Sequence, residues 1–263
     1  MSRVLITGGA SGLGLALAKQ FLARGDEVLI GDLAMTRPGS VPERAAYRKL
    51  DVRSQQDWDG ALTLVREGWG GLDLLVNNAG VATGGRIDIE ALADWERVID
   101  INLLGVVRGC QTFAPLLKEQ GAGRIVNIAS LAGLVHGPAM SSYNATKAGV
   151  VALSETLRFE LAPFGIRVNV VCPSFFATNL HTSLQGKDVE IEKTATKLIT
   201  KAATPAEDIA MKVLRGIEKD RPIILTDRDG HLAVWSKRLA RPAYDLMLAK
   251  AGRRMARKGR TGE

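Results

Sequence analysis

The sequence predicts an α/β fold in which a mainly parallel sheet of seven strands carries helices on both faces. Short apolar runs rich in Val, Ile and Leu alternate with longer segments of helical periodicity up to about residue 228, and no linker-like segment divides them. Uninterrupted apolar runs are typical of parallel strands, which are buried on both faces. The expected strands are 3–7, 27–31, 46–50, 72–77, 123–129, 166–172 and 222–225. The expected helices are 12–24, 55–68, 90–119, 141–163 and 204–219.

The first strand is followed by the segments of a dinucleotide site in the required order. Val4-Leu5-Ile6 leads into a glycine-rich turn, residues 7–14, and a helical pattern follows as far as Gly25. Glycines let the backbone approach a pyrophosphate, and the N-terminus of a helix presents free N–H groups to it. The second strand ends at Asp32, eighteen residues after Gly14, where a carboxylate can accept a hydrogen bond from a ribose 2′-hydroxyl. The alternative is that Asp32 only ends a strand.

Tyr143 and Lys147, four residues apart on a predicted helix, form a candidate proton-transfer pair. Residues at i and i+4 share one face of a helix. A free phenol is a weak acid with a pKa of about 10, and a nearby cation favours its ionised form. The pair can therefore exchange a proton with an alcohol or a carbonyl, although an isolated match of this spacing is more often a surface pair.

Together these motifs resemble the short-chain dehydrogenase/reductase family, in the form of roughly this chain's length, and the resemblance runs from Arg3 to about Thr226. The matches to the family's motifs are Thr7, Gly8, Gly12 and Gly14 in the glycine-rich turn, Asp51 after the third strand, Asn77-Asn78-Ala79-Gly80 after the fourth, Asn102 in a helix, Ser130 thirteen residues before Tyr143, Arg167 and Asn169 in the sixth strand, and Pro173 to Thr178 after it. One departure is Ser174, which stands where the family has a glycine and restricts the backbone beside the nicotinamide.

The resemblance implies a Rossmann-type, doubly wound fold and reversible hydride transfer between a nicotinamide cofactor and an alcohol or carbonyl. It implies that Tyr143 exchanges the proton and that Ser130 binds the substrate oxygen. Lys147 would bind the nicotinamide ribose and favour the Tyr143 phenolate, and Asn102 would hold a water. The residues expected at the cofactor are Gly8, Ser11, Gly12, Leu13, Gly14, Asp32, Leu33, Asp51, Val52, Asn78, Ala79, Gly80, Tyr143, Lys147, Pro173, Phe176 and Thr178.

The surroundings of Asp32 favour NAD over NADP. A carboxylate repels a 2′-phosphate, and the nearest cation able to offset the repulsion is Arg37. Lys and Arg are absent from the positions closest to Asp32 and to the glycine-rich turn, namely Ala10, Ser11, Leu33 and Ala34. We expect no metal, because the three histidines lack partners at ligand spacing.

The residues expected around the substrate are mostly apolar, which favours a hydrophobic secondary alcohol or ketone under a loop at 174–202. The set is Ser130, Leu131, Met140, Tyr143 and Phe175. Two alternatives remain open. One is an isomerase or dehydratase on the same fold, and the other is a non-catalytic dinucleotide sensor. The complete catalytic set argues against the sensor, which has no need of it.

The last part of the chain differs in charge from the rest. We expect an NAD-binding domain over residues 1–228 and a basic helical extension over 229–263. The segment 237–263 contains nine Lys or Arg and two acidic residues, so it accounts for the whole net charge of +7. A basic amphipathic helix can lie on an anionic membrane surface, but packing on its own subunit or on a neighbour is favoured. Nucleic-acid binding is not expected, because no recognised module accompanies the charge.

Cellular location and assembly are predicted from fewer features of the sequence. Cys110 and Cys172 lie in apolar runs, which favours reduced thiols and a cytoplasmic protein. The first strand begins almost at residue 1 and leaves no room for a signal peptide. Relatives of the family assemble through two long helices that correspond to residues near 100–118 and 144–162, so we expect a homotetramer, with a homodimer as second choice.

Overall fold

The computed structural model describes residues 1–177 and 179–258. Its sheet has seven parallel strands in the order β3-β2-β1-β4-β5-β6-β7. The strands are β1 Arg3–Thr7, β2 Glu27–Asp32, β3 Ala46–Lys49, β4 Leu74–Asn77, β5 Gly123–Ile128, β6 Ile166–Cys172 and β7 Ile223–Leu225. The predicted fold is confirmed, and each strand begins and ends within two residues of its expected bounds.

Helices cover both faces of the sheet and bury two apolar layers. Successive residues of a strand face opposite sides, so β1 contributes Ile6 to one layer and Leu5 to the other. The first layer is closed by α1 and α8, and the second by α2, α4 and α6. The helices are α1 Gly12–Ala23, α2 Gln55–Trp69, α3 Leu92–Ile99, α4 Gly105–Gln120, α5 Ala132–Val135, α6 Ser141–Leu161, α7 Val189–Thr200, α8 Ala206–Glu218, α9 Arg228–Leu239 and α10 Arg241–Lys258.

The expected helix 90–119 is interrupted. Between α3 and α4, Asp100–Leu104 forms a π-helical turn. Such a turn inserts an extra residue into a helix and is frequent at functional sites. Here it holds Asn102, which is completely buried, against the loop that follows β4.

The sequence did not predict α5, α7 or α9 as separate helices. α5 is a single turn, α7 lies inside the expected substrate loop, and α9 lies in the expected C-terminal extension. Two of them begin at a capping aspartate. The Asp188 side chain accepts a hydrogen bond from the Ile191 N–H, and Asp227 accepts one from Gly230. These caps are local signals that the strand-and-helix alternation alone did not use.

The C-terminal extension packs on α5 as a helical hairpin. Lys237 of α9 donates a hydrogen bond to the Leu134 carbonyl, and the buried Tyr244 of α10 donates one to the Val135 carbonyl. These contacts agree with the expectation that the tail packs on its own subunit. Met247, one of the apolar residues of α10, is exposed. In the described ranges no helix is long and apolar enough to cross a membrane.

Candidate active site

The loops after β1 and β4 are tied together at the carboxyl edge of the sheet, where open α/β sheets bind ligands. The Thr7 hydroxyl accepts hydrogen bonds from the backbone N–H groups of Asn78 and Ala79, at 3.0 and 3.1 Å. The Asn78 amide donates in turn to the carbonyls of Thr7 and Gly8. These bonds fix one side of a cleft whose other side is formed by the loops after β5 and β6.

The glycine-rich turn has no room for side chains. A Cβ on Gly14 would lie 2.2 Å from the Gly8 carbonyl oxygen, and a Cβ on Gly8 would lie 2.9 Å from the Ala79 Cα. Gly12 has a φ of 52°, which favours glycine. Ser11 precedes α1 without a side-chain hydrogen bond to it, so the first N–H groups of the helix remain available to an anion. The turn therefore fits a dinucleotide pyrophosphate.

Asp32 lies beside this turn at the end of β2. Its carboxylate accepts hydrogen bonds from the backbone N–H groups of Ala10, at 2.9 Å, and Leu33, at 2.8 Å. Each carboxylate oxygen retains a lone pair for a ribose hydroxyl. Arg37 is hydrogen-bonded to two backbone carbonyls of its own loop, so its guanidinium is engaged away from Asp32.

Asp51, the acid expected near the adenine, is paired with Arg53. The Arg53 guanidinium binds both carboxylate oxygens, at 3.0 Å for Oδ1 and 2.7 Å for Oδ2. The hydrogen bond to Arg53 lowers the pKa of the Asp51 carboxyl. Among the described residues that line the cleft, Arg53 and Lys147 are the only cations.

Three reactive side chains converge where β5 meets α6. Ser130 follows β5, and Tyr143 and Lys147 lie on successive turns of α6. The Ser130 hydroxyl donates to the Pro173 carbonyl at 3.5 Å and accepts from the Ala132 N–H at 3.2 Å, and its proximity lowers the pKa of the Tyr143 phenol. Lys147 is buried, with 4% of its surface exposed. Its ammonium donates a hydrogen bond to the Ile128 carbonyl at 3.1 Å and lies 5.7 Å from the centre of the Tyr143 ring. The arrangement can transfer a proton to or from an oxygen placed at Ser130 and Tyr143.

Burial shifts the pKa of both members of the pair. Burial raises the pKa of the Tyr143 phenol, and the proximity of Ser130 offsets only part of that rise. Burial also lowers the pKa of the Lys147 ammonium to about 8. In the polypeptide by itself the net effect is to favour the neutral phenol, because removal of the phenol from water is the largest contribution to its pKa. The role of Lys147 in favouring the phenolate stays a prediction.

Asn102 lies behind the cleft rather than in its wall. Its Oδ1 accepts a hydrogen bond from the Val81 N–H at 2.8 Å, and its Nδ2 donates to the Val81 carbonyl at 2.9 Å. A Cβ on Gly80 would lie 3.1 Å from Asn102 Oδ1 and 3.5 Å from Lys147 Nζ, so Gly80 lets the loop pass between them. The loop engages both polar groups of the Asn102 side chain, and each group retains one further hydrogen-bonding position. The expected role of holding a water stays a prediction.

A cavity of about 780 Å³ connects these groups. Of the expected site residues, Gly14 and Asn102 are not in its wall, and Thr178 lies outside the described residues. Ser174 is in the wall with a φ outside the left-handed region, so this position does not require the family's glycine. The expected residues in the wall are Gly8, Ser11, Gly12, Leu13, Asp32, Leu33, Asp51, Val52, Asn78, Ala79, Gly80, Ser130, Leu131, Met140, Tyr143, Lys147, Pro173, Phe175 and Phe176.

The sequence predicted a lid over the site but not the contacts that fasten it. The Ser183 hydroxyl accepts a hydrogen bond from the Ala82 N–H at 2.8 Å. The Arg86 guanidinium donates to the buried Asp188 carboxylate at 2.8 Å, immediately before α7. Both contacts join segments about a hundred residues apart, so no local motif announces them. The residues that the lid and its neighbours add to the wall are Thr83, Leu180, Thr182, Ser183, Leu184, Gln185, Ala195 and Ile199.

Glu90 is a buried carboxylate that the sequence did not single out. Its Oε1 accepts hydrogen bonds from the hydroxyls of Thr83 and Ser142, while its Oε2 is buried with no partner in the part of the chain that the structure describes. Ser142 directly precedes Tyr143. Glu90 therefore joins the loop after β4 to the first turn of α6.

Known proteins resemble this chain over most of its length. The family model for short chain dehydrogenase matches residues 2–188. A 3-alpha-(or 20-beta)-hydroxysteroid dehydrogenase of Mycobacterium tuberculosis is 38% identical over 178 residues, which cover 66% of this chain and 68% of that protein. A 2-(R)-hydroxypropyl-CoM dehydrogenase of Xanthobacter autotrophicus is 37% identical over 190 residues, which cover 68% and 76%. A solved short chain dehydrogenase/reductase from Burkholderia phymatum in complex with NAD is 27% identical, with a TM-score of 0.84 over 94% of this chain and 95% of that chain.

We expect the phenol of Tyr143 to stay protonated into alkaline pH when no cofactor is added. Burial raises its pKa and those of Tyr47 and Tyr244, the other two tyrosines of the chain. Tyrosinate absorbance of the native protein should therefore appear only above pH 10 or so, and at about pH 10 after unfolding. A phenol that ionises near neutral pH, and is lost in Tyr143→Phe, would contradict the burial effect.

Proposed function

Since this chain belongs to the short-chain dehydrogenase/reductase family and is an NAD(P)-dependent oxidoreductase of alcohols or ketones, we propose that it transfers a hydride between NAD and a neutral, hydrophobic secondary alcohol or ketone. The observation that carries the proposal is the convergence of Ser130, Tyr143 and Lys147 at one end of a cavity whose other end has the dimensions and backbone donors for a dinucleotide. In this proposal residues 1–228 form the catalytic domain, with the substrate loop 174–202, and residues 229–263 form an extension.

Oxidation of an alcohol requires the loss of a hydride from carbon and of a proton from oxygen. The nicotinamide, when bound, exchanges the hydride. Tyr143 takes the hydroxyl proton as general base and returns it as general acid in the reverse direction. Ser130, which lies beside Tyr143, donates to the same substrate oxygen and stabilises the charge that develops there.

Two further residues of the proposed catalytic set, Lys147 and Asn102, position the cofactor and the backbone around it. An ammonium has three donors, so Lys147 can bind the ribose hydroxyls of the cofactor while it remains bonded to Ile128. Asn102 holds the Gly80–Val81 backbone against the Lys147 end of the site through its two hydrogen bonds to Val81. Thr178 and the backbone near Val171 are assigned to the nicotinamide carboxamide, and Pro173 and Phe176, which follow β6, are assigned to the cofactor site.

A neutral substrate is supported by the absence of charge beyond Ser130, among the described residues that line the cavity. A carboxylate or phosphate there would leave water without gaining a positively charged partner, which costs several kcal/mol. The apolar wall at this end consists of Leu131, Val135, Met140, Phe175, Leu180, Leu184 and Ile199. The uncharged polar groups are Thr83, Thr182, Ser183 and Gln185.

A spectrophotometric screen with NAD and a panel of secondary alcohols tests this function. Neutral cyclic or steroid-like alcohols should give net NADH, and an analogue that carries a carboxylate on its apolar part should have a kcat/KM at least about 10²-fold lower. Tyr143→Phe should bind NAD normally and lose at least about 10²-fold in kcat, because the proton-transfer group is removed. Tyr47→Phe, which removes a phenol bonded to the Ala34 carbonyl, is the matched control and should keep its turnover.

Turnover without net NADH would favour the isomerase or dehydratase, and NAD binding without any turnover would favour the sensor. Substantial activity of a clean Tyr143→Phe preparation would refute the role proposed for the phenol.

A preference for NAD follows from the charges around the adenosine end. Asp32 repels a 2′-phosphate, while Arg37 is engaged by its own loop and Arg53 is engaged by Asp51. We expect a kcat/KM for NAD at least about tenfold above that for NADP, a difference of about 1.4 kcal/mol. Asp32→Ser should narrow the ratio, whereas Asp59→Ser, at an exposed position on α2, should leave it unchanged. A wild-type preference for NADP would overturn this assignment.

We propose a homotetramer, with a homodimer as second choice, built on the outer faces of α4 and α6. The exposed Leu104, directly before α4, and the exposed Phe159 on α6 support it, since symmetric burial of such faces is common in soluble enzymes. Light scattering should therefore give four times, or twice, the chain mass, and Phe159→Lys should lower it. Leu232→Lys on α9 should leave the mass of the assembly unchanged. A wild-type monomer would refute both assemblies.

The two cysteines are buried and unpaired, which supports a reducing compartment such as the cytoplasm.

A further inference from the structure

The outer face of the α9–α10 hairpin exposes large apolar side chains. The hairpin packs on α5 through Lys237 and Tyr244, and this leaves the opposite side without a partner in the described chain. On α9, Leu232, Trp235 and Leu239 follow the spacing i, i+3 and i+7, so they form one stripe. Trp235 is 58% exposed and Leu239 76% exposed. On α10, Leu246 and Met247 extend the apolar surface.

The same two helices are rich in exposed basic residues. Residues 228–258 contain nine Lys or Arg against Asp229 and Asp245, so the hairpin has a net charge of +7 while the rest of the chain sums to zero. The exposed basic residues of the hairpin are Arg228, Arg238, Arg241, Lys250, Arg253 and Arg254. The hairpin therefore combines a concentrated positive charge with an exposed Trp and Leu stripe, the combination that binds the interface of an anionic bilayer.

We propose that the outer face of the α9–α10 hairpin docks this protein on the surface of an anionic lipid bilayer. Leu232, Trp235 and Leu239 enter the boundary between head groups and acyl chains, and the exposed Arg and Lys side chains of the hairpin contact the lipid phosphates. The proposal rests on the surface alone and does not depend on the identity of the substrate.

Charge distinguishes a bilayer from the other candidate occupants of this face. A twofold contact between two copies would place a net charge of +7 opposite an identical one, which is repulsive. A nucleic acid would satisfy the basic residues but would leave the aliphatic Leu232 and Leu239 without an apolar partner. An anionic membrane satisfies both.

Co-sedimentation of the full-length protein with vesicles tests the proposal. We expect binding to phosphatidylcholine vesicles that contain phosphatidylglycerol and little binding to phosphatidylcholine alone. Binding should fall when salt rises from about 0.1 M to about 1 M, because the screening length shortens from ~10 Å to ~3 Å. Trp235→Ser with Leu239→Ser, and separately Arg253→Gln with Arg254→Gln, should each lower the partition coefficient at least about tenfold.

The matched control removes the same charge from another exposed surface. Lys19→Gln with Lys212→Gln, on α1 and α8, should retain vesicle binding, and all variants should keep the native circular dichroism spectrum. Equal binding to both kinds of vesicle, or none, would overturn the proposal. So would binding that depends on Arg253 and Arg254 but not on Trp235 and Leu239, since that is simple charge attraction. A loss of oligomer mass in the Trp235/Leu239 variant, or preferential capture by single-stranded nucleic acid, would assign the face to those partners instead.

Discussion

Burial of the Lys147 ammonium is the constraint on which the rest of the site depends. Lys147 is 4% exposed. A buried ammonium costs free energy unless it is hydrogen-bonded, and the Ile128 carbonyl at the end of β5 accepts one hydrogen bond from it. The backbone of α5 and of the loop after β4 approaches Lys147 closely, and glycines make this approach possible. A Cβ on Gly133 would lie 2.6 Å from the Lys147 carbonyl carbon, and a Cβ on Gly80 would lie 3.5 Å from Nζ. Gly133 of α5 and Gly80 of the loop after β4 therefore restrict the position of the Lys147 ammonium. They also restrict the position of the Tyr143 phenol, which lies four residues earlier on the same helix.

The parts of the molecule that the sequence predicted are those specified by residues close together in the chain. Strand, glycine turn, helix and Asp32 follow one another within about thirty residues, and the Tyr143 to Lys147 spacing is a single helical turn. The π turn at Asp100–Leu104 was not predicted, because its reason is a pair of bonds between Asn102 and Val81, twenty-one residues apart. The effect of burial on the pKa of Tyr143 could not be predicted from the spacing either, since burial is a property of the assembled fold.

Long-range side-chain pairs control the substrate end of the cavity. The ion pair between Arg86 and Asp188 fastens the lid, and Glu90 joins the loop after β4 to Ser142. Each pair connects the β4 loop to an element far along the chain, so this loop touches the cofactor site, the start of α6 and the lid.

The two ends of the cavity therefore differ in what holds them. Backbone geometry defines the end proposed for the dinucleotide, where glycines cannot gain a Cβ and the first N–H groups of α1 are available to an anion. Side chains of the lid, of α5 and of the loop after β6 define the substrate end, and α5 is itself held by Tyr244 of the C-terminal hairpin. Substitutions at the substrate end can alter the shape of the pocket without moving Ser130, Tyr143 or Lys147, because those three are fixed by β5 and α6. Hence the chemistry is readable from motifs, whereas the identity of the substrate depends on packing between segments that the motifs do not include.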